Sequence, residues 1–131
     1  MLELLVVLAI LALLMGLAGP RLMGLFGQAR HKAAALEISR LSGVLDLYRL
    51  DVGHYPSSEQ GLAALGRAPG NTPHWNGPYL KGSVPLDPWG RPYGYQRPSR
   101  RGAGFDYDLF TLGADGAPGG GGENADLYNA P

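Results

Sequence analysis

The chain contains no cysteine. That absence excludes a disulfide-stapled scaffold, a thiolate nucleophile and any zinc or iron–sulfur centre held by thiolates. Net charge is missing too: 11 basic and 11 acidic residues cancel over 131 positions, so no overall positive field gathers nucleic acid, and none is expected as a partner. Catalytic motifs are also absent. His31, His54 and His74 lie far apart, none sits in an HExxH helix, and no G-x-S-x-G elbow surrounds a serine. The glycines at 119–122 form no phosphate loop, because no Lys-Ser/Thr and no helical pattern follow them. An enzyme is not expected, and at this length one domain fits where two do not.

What is present is distributed unevenly. The 21 glycines and 11 prolines concentrate after Gly53. Ahead of them, residues 4–20 read LLVVLAILALLMGLAGP without one charged or strongly polar side chain. As a helix this run spans about 26 Å against a hydrocarbon core of about 30 Å, so it predicts a membrane anchor to which Leu2 and residues 22–26 contribute. A signal peptide would open with positive charge and close with a small-residue cleavage site, whereas this segment opens Met1-Leu2-Glu3 and runs into a second helical pattern. Glu3 places a carboxylate at the edge of the apolar run, where burial is costly without a positive partner. Arg21 is about 27 Å away along the axis, so any partner belongs to another molecule. Gly16, Gly19 and Pro20 weaken the helix, and lipid tolerates this where neighbouring helices cover the freed backbone groups. Both features point to packing between chains.

Beyond Pro20 the pattern becomes amphipathic with no further proline up to Leu50. Ala34, Ile38, Leu41, Leu45 and Tyr48 form one helical stripe, while Arg30, Lys32, Glu37, Arg40, Asp46 and Arg49 carry charge elsewhere. The same helix is therefore expected from about residue 2 to residue 50, half anchor and half support. Gly53 followed by Pro56 ends it. Ser57 and Gln60 have capping-box spacing and are expected to open a short helix through Leu62 and Leu65. Asp87-Pro88-Trp89-Gly90 is a turn signal. Tyr93 and Tyr95, then Tyr107, Leu109 and Thr111, predict short antiparallel strands around a connection at residues 97–104. Trp89 is read as core, closing the sheet onto the stripe. Arg97, Arg100 and Arg101 are read as a solvated hairpin tip. Residues 113–131 show no periodicity and are expected to form a long loop. Within it Asp115 and Asp126 bracket the glycines with Glu123 and Asn124, which suits hard Ca²⁺ and its oxygen ligands, although by spacing alone a solvated acidic loop is the favoured reading. Ala117 and Gly119 stand where an EF-hand needs oxygen side chains.

Together these residues resemble the major pseudopilins of the type II secretion system, within the type IV pilin superfamily. The N-terminal LELLVVLAIL looks like the superfamily's N-terminal segment. More specific are Leu50-Asp51 with Tyr55-Pro56, Glu59-Gln60-Gly61-Leu62, Asp87-Pro88-Trp89-Gly90, and Leu112-Gly113-Ala114-Asp115-Gly116 with Asn124-Ala125-Asp126. The resemblance implies a pilin-like α+β fold: a long N-terminal helix packed on a small antiparallel sheet, closed by a C-terminal calcium loop. Residues 1–26 would span the bacterial inner membrane with the N-terminus cytoplasmic, and residues 27–131 would form the periplasmic domain. It implies one Ca²⁺ held by Asp115, Asp126 and the Leu112 carbonyl, with the Ala117 carbonyl and Glu123 or Asn124 as further ligands. It also implies a major structural subunit that assembles as a helical homo-oligomer, in company with minor pseudopilins, an inner-membrane assembly platform and the lipid bilayer. Glu3 is assigned to assembly, pairing with the free amine of a neighbour's N-terminus. The family's mature chain begins with phenylalanine two residues before the position matching Met1, so a basic leader, removed by prepilin peptidase before methylation, is expected upstream. Alternatives are a type IV pilin for adhesion or DNA uptake and a monomeric membrane-anchored periplasmic binding domain. The motifs at 87–90 and 115–126 disfavour the first, and Glu3, which a lone anchor does not need, disfavours the second.

Overall fold

The computed structural model describes residues 1–131, with side chains described for 1–17 and 24–131. One helix, α1 (Leu2–Val52), takes up 51 residues and is about 77 Å long. It ends where Gly53 turns into the left-handed region at φ 98° and donates its N–H to the Arg49 carbonyl at 2.8 Å. The two halves of α1 meet different surroundings. Every large apolar side chain from Leu2 to Leu17 is more than half exposed, whereas Ala34, Ile38, Leu41, Leu45 and Tyr48 are buried as their spacing predicts. Among the described residues no helix is long and apolar enough to cross a membrane. Gly19, Pro20, Arg21 and Leu22, on which the anchor and its weak point partly rest, lie outside the described side chains.

After α1 the capping-box pair forms in both directions. The Ser57 N–H donates to Gln60 Oε1 at 3.0 Å, and the Gln60 N–H donates to Ser57 Oγ at 3.2 Å. The turn does not continue as an α-helix, because Gly61 adopts φ 60°, ψ −163°; a 3-10 turn, Leu62–Leu65, follows and buries Leu62, Ala64 and Leu65. The chain then returns across this turn, with Tyr79 and Leu80 donating to the Leu65 carbonyl and Trp75 Nε1 donating to the Ala64 carbonyl. Strands β1 (Gly94–Gln96) and β2 (Asp108–Thr111) pair antiparallel, with Gly94 opposite Phe110 and Gln96 opposite Asp108. The Phe110 ring covers Gly94, where a side chain would collide with it. Burial pushes the Tyr93 phenol up to about 12 and raises Tyr95 as well, so both stay neutral; Tyr95 donates to the Pro56 carbonyl at 2.7 Å.

Three expectations need correction. Residues 113–131 are not all loop: β3 (Leu127–Tyr128) pairs with β2, giving sheet order β1-β2-β3. Two residues are too few to show alternation, so the strand carries no sequence signal. The basic cluster is not a solvated tip either. Arg101 Nε donates to the buried Asp108 carboxylate at 2.6 Å, its Nη atoms donate to the Asn129 carbonyl and Oδ1, and its guanidinium lies 3.9 Å from the Phe105 ring centroid. Arg97 donates to the Tyr55 carbonyl. Asn129 extends the pairing, its N–H donating to the Leu109 carbonyl and its Oδ1 accepting from the Leu109 N–H. Trp89, finally, is half-buried and does not close the sheet onto the stripe. Its ring meets His31 edge-on, 5.3 Å between centroids, because α1 runs past the sheet and meets the 87–90 turn one heptad before Ile38.

Burial alone pushes the Asp108 carboxyl up, but hydrogen bonds from the Ser99 hydroxyl, Arg101 and the Arg100 amide outweigh it and hold the group below its ordinary value of 3.8. A carboxyl lowered on folding adds stability above its unfolded pKa and loses it as pH falls through the folded one. The melting midpoint should therefore drop as pH falls below about 4, and Asp108→Asn should start lower yet lose less over that window. Melting curves from neutral pH to about pH 2 check this; identical slopes for the two proteins would refute it.

Candidate functional site

The distinctive chemistry of the domain lies where β2 leaves the sheet, beside the turn at residues 87–91. Asp87 is buried and saturated: Oδ1 accepts from the Trp89 and Arg91 amides at 3.0 and 2.8 Å, and Oδ2 accepts from the Thr111 hydroxyl at 2.6 Å. One carboxylate thus shapes the turn and staples it to the end of β2. Arg91, projected from this turn, donates from Nη1 to the Gly113 carbonyl at 2.9 Å and from Nη2 to the Ala114 carbonyl at 3.2 Å.

From Thr111 the chain enters a loop that returns at β3. Gly113, at φ 78°, is pressed against the returning backbone: an added Cβ would lie 2.8 Å from the carbonyl oxygens of Glu123 and Ala125. The Ala114 N–H donates to the Glu123 carbonyl at 2.9 Å. Asp115 and Asp126 grip the loop's crest, Asp115 Oδ1 accepting from the Ala117 N–H at 3.2 Å and Asp126 Oδ2 accepting from the Gly119 N–H at 2.9 Å. The other Asp126 oxygen, Oδ1, is buried without any hydrogen-bond partner. A buried carboxylate oxygen facing no donor is an unmet acceptor, which a cation satisfies. The loop also holds glycines with positive φ at 113, 116, 119, 120 and 122, a backbone freedom that oxygen coordination by main-chain carbonyls can use.

The expected ligands are not all in equivalent places. Asp115 and Ala117 belong to the crest, Asp126 lies on the returning arm and reaches Gly119 of the crest, and Leu112 is half-buried at the loop's root. Glu123 turns its side chain away, over Gly27 of α1, while its carbonyl accepts from the Ala114 amide and from His31 Nε2 at 2.9 Å. Asn124 packs its backbone and Cβ against Gly120. Among the described residues no three His, Asp or Glu side chains converge. A hard ion here would therefore have to be held by two carboxylates and main-chain carbonyls rather than by a cage of acidic side chains. Arg91, His31 and Gly27 were missed in the sequence. The only available signals were the position of Arg91 directly after the turn and that of His31 one heptad before Ile38 on the stripe. Glu3 lies exposed in the first turn of α1, where a carboxylate suits the helix dipole, and it makes no ion pair among the described residues.

A single helix, half bare and half buried under a short antiparallel sheet with a glycine-rich acidic loop, defines a pilin-like subunit. Residues 21–130 match the family described as Type II secretion system (T2SS), protein G. The chain is 41% identical over 133 aligned positions to the Type II secretion system core protein G of Pseudomonas aeruginosa, covering 98% of this chain and 91% of that one. It is 42% identical to its counterpart in Vibrio cholerae, covering 98% and 88%. The crystal structure of the major pseudopilin from the type 2 secretion system of enterohaemorrhagic Escherichia coli superposes with a TM-score of 0.66 at 34% identity, over 84% of this chain and 94% of that one. The chain belongs to the type II secretion system protein G family, the major pseudopilins, and is a structural component of protein secretion.

Gly113 is the least replaceable point of the loop, since its φ disfavours any side chain and the obstruction is backbone. Gly113→Ala should lower stability by about 2–4 kcal/mol, whereas Gly102→Ala, also at positive φ (117°) but with open space around it, should cost about 1 kcal/mol. Chemical denaturation of both variants decides it; equal costs would place the strain in φ alone.

Proposed function

We propose that this chain is the repeating subunit of a periplasmic filament, anchored in the inner membrane by residues 1–26 with its N-terminus cytoplasmic and residues 27–131 in the periplasm. The observation that carries this is the division of α1: apolar side chains bare on all sides from Leu2 to Leu17, then a stripe buried under the domain from Ala34 to Tyr48. Bare leucines on every face need lipid or neighbouring helices, and a helical array supplies both in turn. The filament would work mechanically in exporting folded proteins, with minor pseudopilins, an assembly platform and prepilin peptidase as partners and no catalysis of its own. Glu3 would pair with a neighbour's N-terminal amine as that subunit enters the array, since its own helix offers no cation nearby. Glu3→Leu in the full-length protein should leave membrane insertion intact while filament yield and secretion fall to background; a wild-type filament yield would overturn the assignment.

The loop at residues 112–126 is proposed to hold one Ca²⁺. Asp115, Asp126 and the Leu112 and Ala117 carbonyls would bind it, with Asn124 supplying further oxygen; for Glu123 the carbonyl is already committed and the side chain lies on α1. When bound, the ion neutralises two carboxylates that grip one short crest and supplies the partner that Asp126 Oδ1 lacks. The rest is done by the chain, whose glycines permit the crest and whose carboxylates fix its amides. At calcium 100 times its Kd the native state gains about 2.7 kcal/mol, which should raise the melting midpoint by about 10 °C. Chelator should remove that gain, and Asp115→Ala or Asp126→Ala should abolish the response. An unchanged wild-type midpoint in chelator would reduce the loop to a solvated acidic turn.

A further inference from the structure

The loop is fastened unevenly. Its outgoing arm, residues 112–114, is held by the Arg91 fork on the Gly113 and Ala114 carbonyls and by the Gly113 N–H on Thr111 Oγ1 at 3.4 Å. Its returning arm is held at Glu123, whose carbonyl accepts from Ala114 and from His31 of α1. A carbonyl only accepts, so His31 Nε2 carries the proton in this contact. The His31 ring is set edge-on by Trp89, and the amides of Trp89 and Arg91 both end on the same Asp87 oxygen. One turn, residues 87–91, therefore supports both clamps. The crest between the arms is held by the Asp115 and Asp126 carboxylates and by the Arg91 guanidinium lying against Gly116, and Gly119, Gly120 and Gly122 all sit at positive φ.

We propose that Arg91 and His31 are positioning residues for the calcium loop: they fix its two arms, one on the sheet side and one on α1, so that ion binding has only the crest at residues 115–122 left to order. This rests on the calcium reading given above. Each backbone residue already fixed lowers the entropy that binding must overcome, so the clamps act through affinity without touching the ion. They also tie the loop to residues 27–31 of α1, directly beyond the exposed apolar stretch, so the loop and the stem of the domain form one unit.

Arg91 makes the inference sharp, because its charge and its geometry predict opposite results. As a cation near a dication it opposes binding, and removing it should tighten calcium; as a clamp it favours binding, and removing it should weaken calcium. The test is calcium chloride titration calorimetry on the full chain in detergent, for wild type, Arg91→Gln, Arg91→Lys, His31→Leu and His31→Gln. Arg91→Gln and His31→Leu should each weaken binding about tenfold, the scale of one or two lost hydrogen bonds. Arg91→Lys, which keeps the charge but loses the fork, should also weaken it. His31→Gln, which restores an N–H donor, should stay within about twofold of wild type. In chelator, the Ala114 amide of the wild type should remain protected from hydrogen exchange while the crest amides of Gly120 and Gly121 exchange freely. Tighter binding by Arg91→Gln, unchanged affinity in Arg91→Gln and His31→Leu, or an unprotected Ala114 amide in chelator would each overturn the clamp while leaving calcium binding intact. No binding by the wild type would overturn both readings.

Discussion

Everything beyond residue 52 depends on one stripe of α1. Its strands are three, four and two residues long, far below what a free sheet needs to hold together in water. Ile38, Leu41, Leu45 and Tyr48 supply the floor that the sheet cannot make for itself, and they share one core with Tyr55, Leu62, Leu65, Leu80, Tyr93, Tyr107 and Leu109. Aromatic edges do much of the fitting, as Tyr55 meets Tyr107 at 4.7 Å and Tyr48 meets Tyr79 at 5.8 Å between centroids. Truncating this stripe would remove the common support for all these contacts.

Where the sheet is too short to bind its surroundings, single polar side chains do so. Asp87 joins a turn to β2, Asp108 with Arg101 and Asn129 joins the 97–104 connection to β3, and Arg91 joins the turn to the glycine-rich loop. In each case a charged side chain, buried at Asp87 and Asp108 and exposed at Arg91, meets several hydrogen-bonding groups at once. A chain rich in glycine and proline, with few ladder hydrogen bonds, needs such staples to satisfy its loop amides and carbonyls. Asp108 and Thr111 mark the two ends of β2, so the strand is pinned at both, and the Asp87 and Arg91 contacts at its Thr111 end are the base from which the acidic loop departs.

The features legible in the sequence are those whose cause is local. The stripe from Ala34 to Tyr48 follows from helical spacing, the stop at Gly53 from its left-handed φ, the Ser57–Gln60 box from offset three, and the strands near Tyr95 and Leu109 from alternation. What was not legible depends on distant partners. Nothing near Arg101 reveals that Asp108 and Asn129 will enclose it, and nothing near Trp89 reveals that His31 lies beneath it. Asp115 and Asp126 were legible as a candidate pair because glycines separate them. That Glu123 would spend its side chain on Gly27 was not, since this depends on how far α1 extends below the sheet.

One continuous helix is bare and apolar at its start and buried under the domain at its end, and the proposed anchor places lipid and neighbouring chains around the bare part. Because the chain has no cysteine, single cysteines placed at Leu8, Leu36 and Leu41 report each environment without background. Maleimide labelling of the full chain in bilayers should modify position 36, which is 74% exposed, at once, and should modify position 41, which is 0% exposed, only after denaturation. Position 8 should be blocked in bilayers and become reactive when the bilayer is replaced by a solvent that leaves the domain folded. Labelling of position 8 in bilayers as fast as position 36, or of position 41 in the folded protein, would contradict the account.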